Sequence, residues 1–513
     1  MIEAPELTLG VRPQPAVGAA RGAWLFSWPL LVGLASFFYC FFHSDKLLRD
    51  GDTFWHVGAG RWMFEHGRVP DADPFSHTMP GAAWTAHEWL SEVILAAVHQ
   101  AGGWTALVAL TAGAFALTVV LLTRALLRWV EPVYALLFAG LAVGMAASHV
   151  LVRPHVLAMP LMMVWALGLV RAAEAGRSPS LWLLPVMAVW ANLHGGFTLG
   201  LALAVAFALE ASIAAWRGPR LAPTVRSWGL FVLLAAASAL VTPNGVGGIR
   251  FTWQVLVESG YALQRIGEWW SPDFQTLQPL ELWLLGGLAM VMHQGLRLPP
   301  LRLALLLGLL HLALKHMRYV ELLGLLAPLL VAAPFAAQWR ARARGAGQAP
   351  MLDRFFERLA RPAGVAAMAL AAALVAGVPV LVARVQPVVP PALVAPAAAV
   401  RAVQDAGIRG PVLNNYSWGG YLVYLGIPPF IDGRADMYGD AFLKQYMEAL
   451  ELRTSDGLER LVDRYRIGWT LLPAGTPGIA LLDRLPGWRR FHTDEIAVVH
   501  VRAAMPTPQG GQP

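Results

Sequence analysis

Apolar runs of about bilayer-crossing length recur along this chain, broken by charged residues, glycine and proline. They lie near 24–43, 105–123, 133–150, 156–172, 181–194, 197–216, 228–242, 281–294, 301–315, 319–338 and 363–383. Lipid offers no partner to backbone polar groups, and a run of ~20 apolar residues satisfies them by coiling into a helix. With 57% hydrophobic and 14% charged residues, the chain is too apolar for a soluble protein. The expected fold is therefore a polytopic α-helical membrane protein of about eleven spans. The first run could pass for a secretory signal, but it ends in FFYCFFH (37–43) without a small-residue cleavage site and reads as a retained helix.

Short cytoplasmic loops collect Lys and Arg, and this rule sets the expected orientation. With the N-terminus inside, Arg12 and Arg21, Arg124 and Arg128, Arg171 and Arg177, Arg217, Arg220 and Arg226, Arg297 and Arg302, and Arg340 through Arg361 all fall on one side. Counting residues 87–100 (HEWLSEVILAAVHQ) as a span would invert this order. That segment is also short and carries Glu88 and Glu92, so it is expected to be an amphipathic helix on the outer surface. The expected division is a cytoplasmic tail (1–23), a membrane module (24–385) with an outer loop at 44–104, and an extracytoplasmic C-terminal region (386–513), in a plasma (inner) membrane. Cys40 stands alone, so no internal disulfide can form. The net charge of +7 is scattered at span ends, where anionic lipid headgroups account for it, and no basic face for nucleic acid is present.

The loop from Asp50 to Trp89 concentrates Asp50, Asp52, His56, Arg61, Glu65, His66, Asp71, Asp73, His77, His87 and Glu88. A solvated connection would explain polarity alone. Acids, histidines and aromatics together are what a site at the membrane surface needs. The run 181–194 holds fourteen residues, roughly 21 Å at ~1.5 Å each and short of the ~30 Å hydrocarbon core. Its end, NLHGG (192–196), is expected to line a cavity open to the outside, with a kinked span and a satisfied histidine as the alternative.

After Arg384 a Pro-rich connector leads to about a hundred residues of ordinary charge density. Helices are expected at Pro396–Ala406, Asp440–Leu452 and Gly457–Tyr465. Strands are expected at Pro411–Asn414, Phe430–Asp432, Trp469–Leu472, Arg489–His492 and Ala497–Val501. The result is a small α/β domain without a nucleotide-binding fingerprint. Asn414, Asn415, Tyr416, Trp418, Asp432, Arg434, Asp436 and Tyr438 fall at its strand ends and turns, where open α/β sheets place functional groups.

One acidic outer loop directly after the first span, surface helices in that loop, about eleven spans and an outer C-terminal domain resemble the GT-C superfamily of membrane glycosyltransferases. Locally, Asp52 to Val57 (DTFWHV), Arg61-Trp62 and 65–67 (EHG) are similar to the oligosaccharyltransferase pattern. DTFWH, VPDADPFSHT, W-x-x-HEWL, RPH, NLHGGF, TPNG and FIDGRADMYG together resemble a group of bacterial multi-pass proteins placed near that superfamily. The resemblance implies inverting transfer of a sugar from a polyprenyl-phosphate donor to a glycan, lipid or protein acceptor. The W-W-D-Y-G sequon-reading motif has its nearest equivalent in 416–421 (YSWGGY), which lacks the acid.

Such a transfer needs a carboxylate for the acceptor, positive charge for the leaving phosphate and an apolar groove for the lipid. Asp52 is the expected base, with Asp50 second. Asp50-Gly51-Asp52 is also a D-x-D that could hold Mg²⁺ or Mn²⁺. Arg153 and Arg318, at outer span ends, are the expected phosphate ligands, with headgroup anchoring the alternative for Arg318. His56, Glu88, His155, Asn192, His194 and Trp269 are expected to line the pocket. The histidines lack paired ligand spacing, which speaks against zinc. A transporter or lipid-linked saccharide flippase would share the topology. However, the halves show no repeat, and a flippase has little need for the C-terminal domain. A non-catalytic scaffold for envelope assembly is the third reading.

Overall fold

The computed structural model describes residues 26–258, 260–342 and 351–503. The expected tail 1–23, and the first two residues of the first apolar run, lie outside them. Each apolar run is a helix: α1 Trp28–Phe42, then after the loop helix α2 Asp52–His66 come α3 Trp89–Leu126, α4 Pro132–Ala147, α5 Pro154–Glu174, α6 Leu183–Leu193, α7 Phe197–Ala215, α8 Leu221–Ala239, α9 Pro279–Gln294, α10 Pro300–Lys315, α11 Val320–Arg342 and α12 Val365–Val385. Proline stands in the first turn of α1, α4, α5, α9 and α10, where its missing N–H costs nothing and its fixed φ starts the coil. Among the described residues, six helices (α3, α5, α7, α8, α11 and α12) are long and apolar enough to cross a membrane.

The helix expected at 87–100 starts at Trp89 and is joined to the following run through a kink at Gly102 and Gly103. Gly103 has φ 62° and ψ −156°, a conformation that side-chain-bearing residues avoid, so the glycine lets one chain segment serve as two helices meeting at an angle. The helices bury one continuous apolar core. Within it the Trp165 indole stacks on Phe231 and donates to Gly200 O at 2.8 Å. Arg302 is enclosed between the C-terminal ends of α5 and α7, paired with Glu174 and with Glu210.

The C-terminal segment folds as α13 Ala397–Asp405, β1 Val412–Asn414, α14 Gly419–Tyr424, α15 Ala435–Leu450, α16 Gly457–Arg464, β2 Trp469–Pro473, α17 Gly478–Leu482, β3 Trp488–Thr493 and β4 Ala497–Arg502. The sheet order is β1-β2-β4-β3, with β1 parallel to β2 and the other pairs antiparallel. The strand expected at 430–432 does not form. There the side chain of Asn414 replaces the ladder, accepting from Phe430 N at 2.7 Å and donating to Ile431 O at 2.8 Å. Residues 430–434 are thereby freed to turn toward the helical bundle.

The polar loop and this small domain pack on the same end of the bundle. Thr78 Oγ1 donates to Phe430 O at 2.6 Å, His77 N donates to Pro429 O at 3.1 Å, and Phe54 meets Tyr421 edge to face with centroids 5.2 Å apart. The loop thus forms the seat for the tail.

Candidate functional site

Between the helix ends, the loop and the small domain lies a cavity of about 1100 Å³. Its polar wall is built around Arg153, which caps the start of α5. The guanidinium bonds Asp50 Oδ2 through Nε at 2.9 Å and Glu268 Oε2 through Nη1 at 2.9 Å, and pairs through Nη2 with Asp52 Oδ2. Glu268 also meets Arg318 Nη1 at 3.4 Å, and the Arg318 guanidinium lies 4.4 Å over the Trp269 ring. Burial raises the Glu268 carboxyl, and the guanidiniums of Arg153 and Arg318 more than reverse this, holding it at about 2. Two arginines from different helix ends and three acids therefore share one hollow.

A second cluster surrounds Glu88. Its Oε1 lies 3.4 Å from His194 Nε2 and 3.6 Å from His87 Nε2, and its Oε2 lies 4.0 Å from His56 Nε2. His56 Nδ1 in turn lies 3.4 Å from Glu92. Burial raises the Glu88 carboxyl, but the imidazoles of His87, His194 and His56 pull it below the usual carboxylate range. α6 stops at Leu193, so His194, Gly195 and Gly196 open onto the cavity.

Asp436, from the first turn of α15, reaches the same cavity from the small domain. It is exposed there and forms no ion pair with any described residue. Although its side chain is open to the cavity, the protein crowded around it shields it from bulk water and raises its carboxyl above the ordinary value, offset in part by His87. Tyr416 also faces the cavity, its hydroxyl donating to Gly433 O at 3.2 Å. The Trp55 indole N–H, 8% exposed and lining the cavity, has no acceptor among the described residues. An apolar extension lined by Met159, Met162, Leu199, Leu309, Leu312 and Leu322 continues among the helices.

The structure thus brings Asp50, Asp52, His56, Glu88, Arg153, His155, His194, Trp269, Arg318, Tyr416, Arg434 and Asp436 to one cavity. Other expected site residues do not face it. Asn192 accepts from Trp89 Nε1 at 2.7 Å and donates to Ala188 O and Val241 O, tying the end of α6 to its neighbours. Trp418 is buried and donates to Leu393 O, and Asn415 caps the turn at Ser417 N. Asp432 is buried, held by Arg434 and Tyr438. Glu92, His149 and Glu321 join the lining without having been singled out for the site. An ionisable group at the edge of an apolar run was the available signal for them.

A divalent ion between Asp50 and Asp52 would have to displace Arg153, whose guanidinium already bonds both carboxylates. The D-x-D does not fit a metal in this arrangement.

No family model matches the sequence, and neither does any curated protein. Solved structures do match. The apo oligosaccharyltransferase of Archaeoglobus fulgidus aligns with 86% of this chain and 69% of its own, at 10% identity and a TM-score of 0.50. The same organism's oligosaccharyltransferase AglB, in complex with an inhibitory peptide and a dolichol-phosphate, aligns over the same shares at 10% identity with a TM-score of 0.49. ArnT from Cupriavidus metallidurans, bound to undecaprenyl phosphate, aligns over 93% of this chain and 98% of its own at 15% identity and 0.44. The chain shares the fold of the Archaeoglobus fulgidus oligosaccharyltransferase.

Proposed function

We propose that this chain is a membrane glycosyltransferase that moves a sugar from a polyprenyl-phosphate donor to an acceptor on the extracytoplasmic side. The observation that carries this reading is the meeting of Arg153 and Arg318 with Asp50 and Asp52 in a cavity that continues into an apolar groove. The groove suits a polyprenyl chain, and guanidiniums suit a phosphate because their planar fork donates paired hydrogen bonds. The shared fold with an oligosaccharyltransferase supports the same reading.

In the reaction, the Asp52 carboxylate takes the proton of an acceptor hydroxyl or amide as its heteroatom attacks the anomeric carbon. The bond from that carbon to the phosphate oxygen breaks, and the lipid phosphate leaves with the electron pair, stabilised by Arg318 and Arg153. A single displacement inverts the anomeric centre. The indole N–H of Trp55 is positioned to orient the incoming group. Asp436 is the second candidate for the base, favoured by its forming no ion pair among the described residues.

The eleven helices drawn from apolar runs are read as spans, with the N-terminus inside and the small domain outside. Protease treatment of spheroplasts checks the side: cleavage within 386–503 only after lysis of the spheroplasts would reverse it. The activity is tested on purified protein with a polyprenyl-phosphate sugar and acceptor extracts. Asp52→Asn is expected to abolish transfer while leaving the thermal melt unchanged. Undiminished transfer would remove Asp52 as the base, and absence of any transfer by the wild type across donors would favour a flippase or scaffold.

A further inference from the structure

His149, in the turn after α4, His155, in the first turn of α5, and Glu321, in the first turn of α11, converge on the floor of the cavity. Their potential ligand atoms lie within 4.8 Å of one another. The His149 and His155 rings stand nearly perpendicular, with centroids 5.8 Å apart. Glu321 Oε2 lies 3.8 Å from His155 Nε2, outside hydrogen-bond reach. His149 and Glu321 are 8% and 7% exposed, and each holds a buried atom, Nδ1 and Oε2, that makes no hydrogen bond among the described residues. Buried polar atoms without hydrogen-bond partners are costly, so two in one cluster call for an occupant.

We propose that His149, His155 and Glu321 form a transition-metal site, preferentially for zinc. Two imidazoles and one carboxylate are a donor set that suits zinc and leaves a fourth position for water or an anion. Tetrahedral bonds of about 2.0–2.1 Å place ligand atoms roughly 3.4 Å apart, so side-chain rotations that also free His155 Nε2 from the His149 carbonyl, 3.0 Å away, close the set. The three ligands come from three separate elements, so the site has no signature in local sequence spacing. Arg318 precedes Glu321 by three residues, and Glu268, Arg318, Glu321 and His149 all line the same cavity. The open position therefore adjoins the wall where Arg318 is placed to meet an anion.

The test uses the full-length protein in detergent, stripped of metal and titrated with zinc chloride against a chromophoric chelator. One tight equivalent is expected for the wild type. His149→Ala and Glu321→Gln are each expected to weaken it at least tenfold, while His87→Ala, in the separate Glu88 cluster, binds zinc as tightly as the wild type. Cobalt(II) added to the wild type is expected to give an intense tetrahedral visible spectrum, a readout that needs no variant to fold. An octahedral cobalt spectrum, or zinc affinity unchanged in both His149→Ala and Glu321→Gln, overturns the site.

Discussion

Arg434 Nη1 donates to Asp73 Oδ1 at 2.7 Å, joining the first polar loop to the C-terminal domain across 361 residues of sequence. The pair is shut away from solvent, and the same guanidinium holds both oxygens of Asp432 and lies over the rings of Trp84 and Phe75. Removing one member of such a buried network leaves charge without compensation, at a cost of about 3–5 kcal/mol. Arg434→Met is expected to destabilise the protein by that order and to expose the 71–81 segment to protease. Asp73→Asn, which keeps an acceptor, is expected to cost less. Thermal melts and limited proteolysis in detergent check both, and an unaltered melt for Arg434→Met would show that the loop is seated by its other contacts.

The two arginines of the cavity should differ when removed. Arg153 neutralises Asp50, Asp52 and Glu268 together, so Arg153→Gln leaves three crowded acids and is expected to impair folding. Arg318 has one ion pair among the described residues, at 3.4 Å, and is 28% exposed, so Arg318→Gln is expected to fold normally. A charge-assisted bond to phosphate contributes about 1.5–3 kcal/mol, so its KM for the lipid donor should rise roughly 10–100-fold. An unchanged KM would assign Arg318 to anchoring at the headgroup level.

The helical runs, the polar loop and most of the strands were legible because each is a local pattern: apolar length, charge density, alternation. The meeting of Asp52 with Arg153 was foreseeable only as two groups assigned to one side. That the arginine would occupy the place suggested for a metal was not, because D-x-D spells a ligand spacing and says nothing of what faces it. The strand expected at 430–432 failed for a related reason, since the side chain of Asn414 satisfies that backbone from a distance in sequence. Asn192 looked like a cavity residue from its neighbours His194 and Gly195, yet half a turn of helix directs it to Trp89 instead. The cluster of His149, His155 and Glu321 needed the packing of three helix ends to exist at all.

Asp52 and Asp436 can be separated by pH. Burial raises the Asp436 carboxyl, so it takes up its proton at higher pH than an ordinary aspartate. If it accepts the acceptor proton, kcat should fall as pH drops through that raised value, and Asp436→Asn should remove most of kcat while leaving the KM for the lipid donor near that of the wild type. An acid limb that persists in Asp436→Asn would leave the proton with Asp52.

Gly433 lies against the cavity wall: a Cβ built there would run into Asp52 Oδ1 and sit 2.9 Å from Trp55 Nε1. Gly433→Ala must therefore push the turn or the carboxylate aside. A misplacement near 1 Å costs roughly 100-fold in rate, whereas overpacking of this kind costs about 1–3 kcal/mol in stability. The expected outcome is a large loss of kcat with a modest fall in the thermal melt, measured on the same preparation. Full activity would mean that the turn holding Gly433 yields without moving Asp52.

Glu268 gives the stability a defined acid dependence. Its folded carboxyl is held at about 2, against an ordinary glutamate value of about 4.3 in the unfolded chain. Above about pH 5 the group is ionised in both states, and its pairing with Arg153 and Arg318 contributes in full. As pH falls toward 2 the unfolded chain takes up the proton first, so the contribution, about 3 kcal/mol at most, is lost over that window. Tryptophan fluorescence of the detergent-solubilised protein across pH 2–6 measures the loss. Glu268→Gln is expected to be less stable than the wild type at pH 6 and to converge on it near pH 2, because protonation and substitution remove the same charge. A gap between the two proteins that stays constant over the whole range would show that Arg153 and Arg318 are held by Asp50 and Asp52 without need of the third acid.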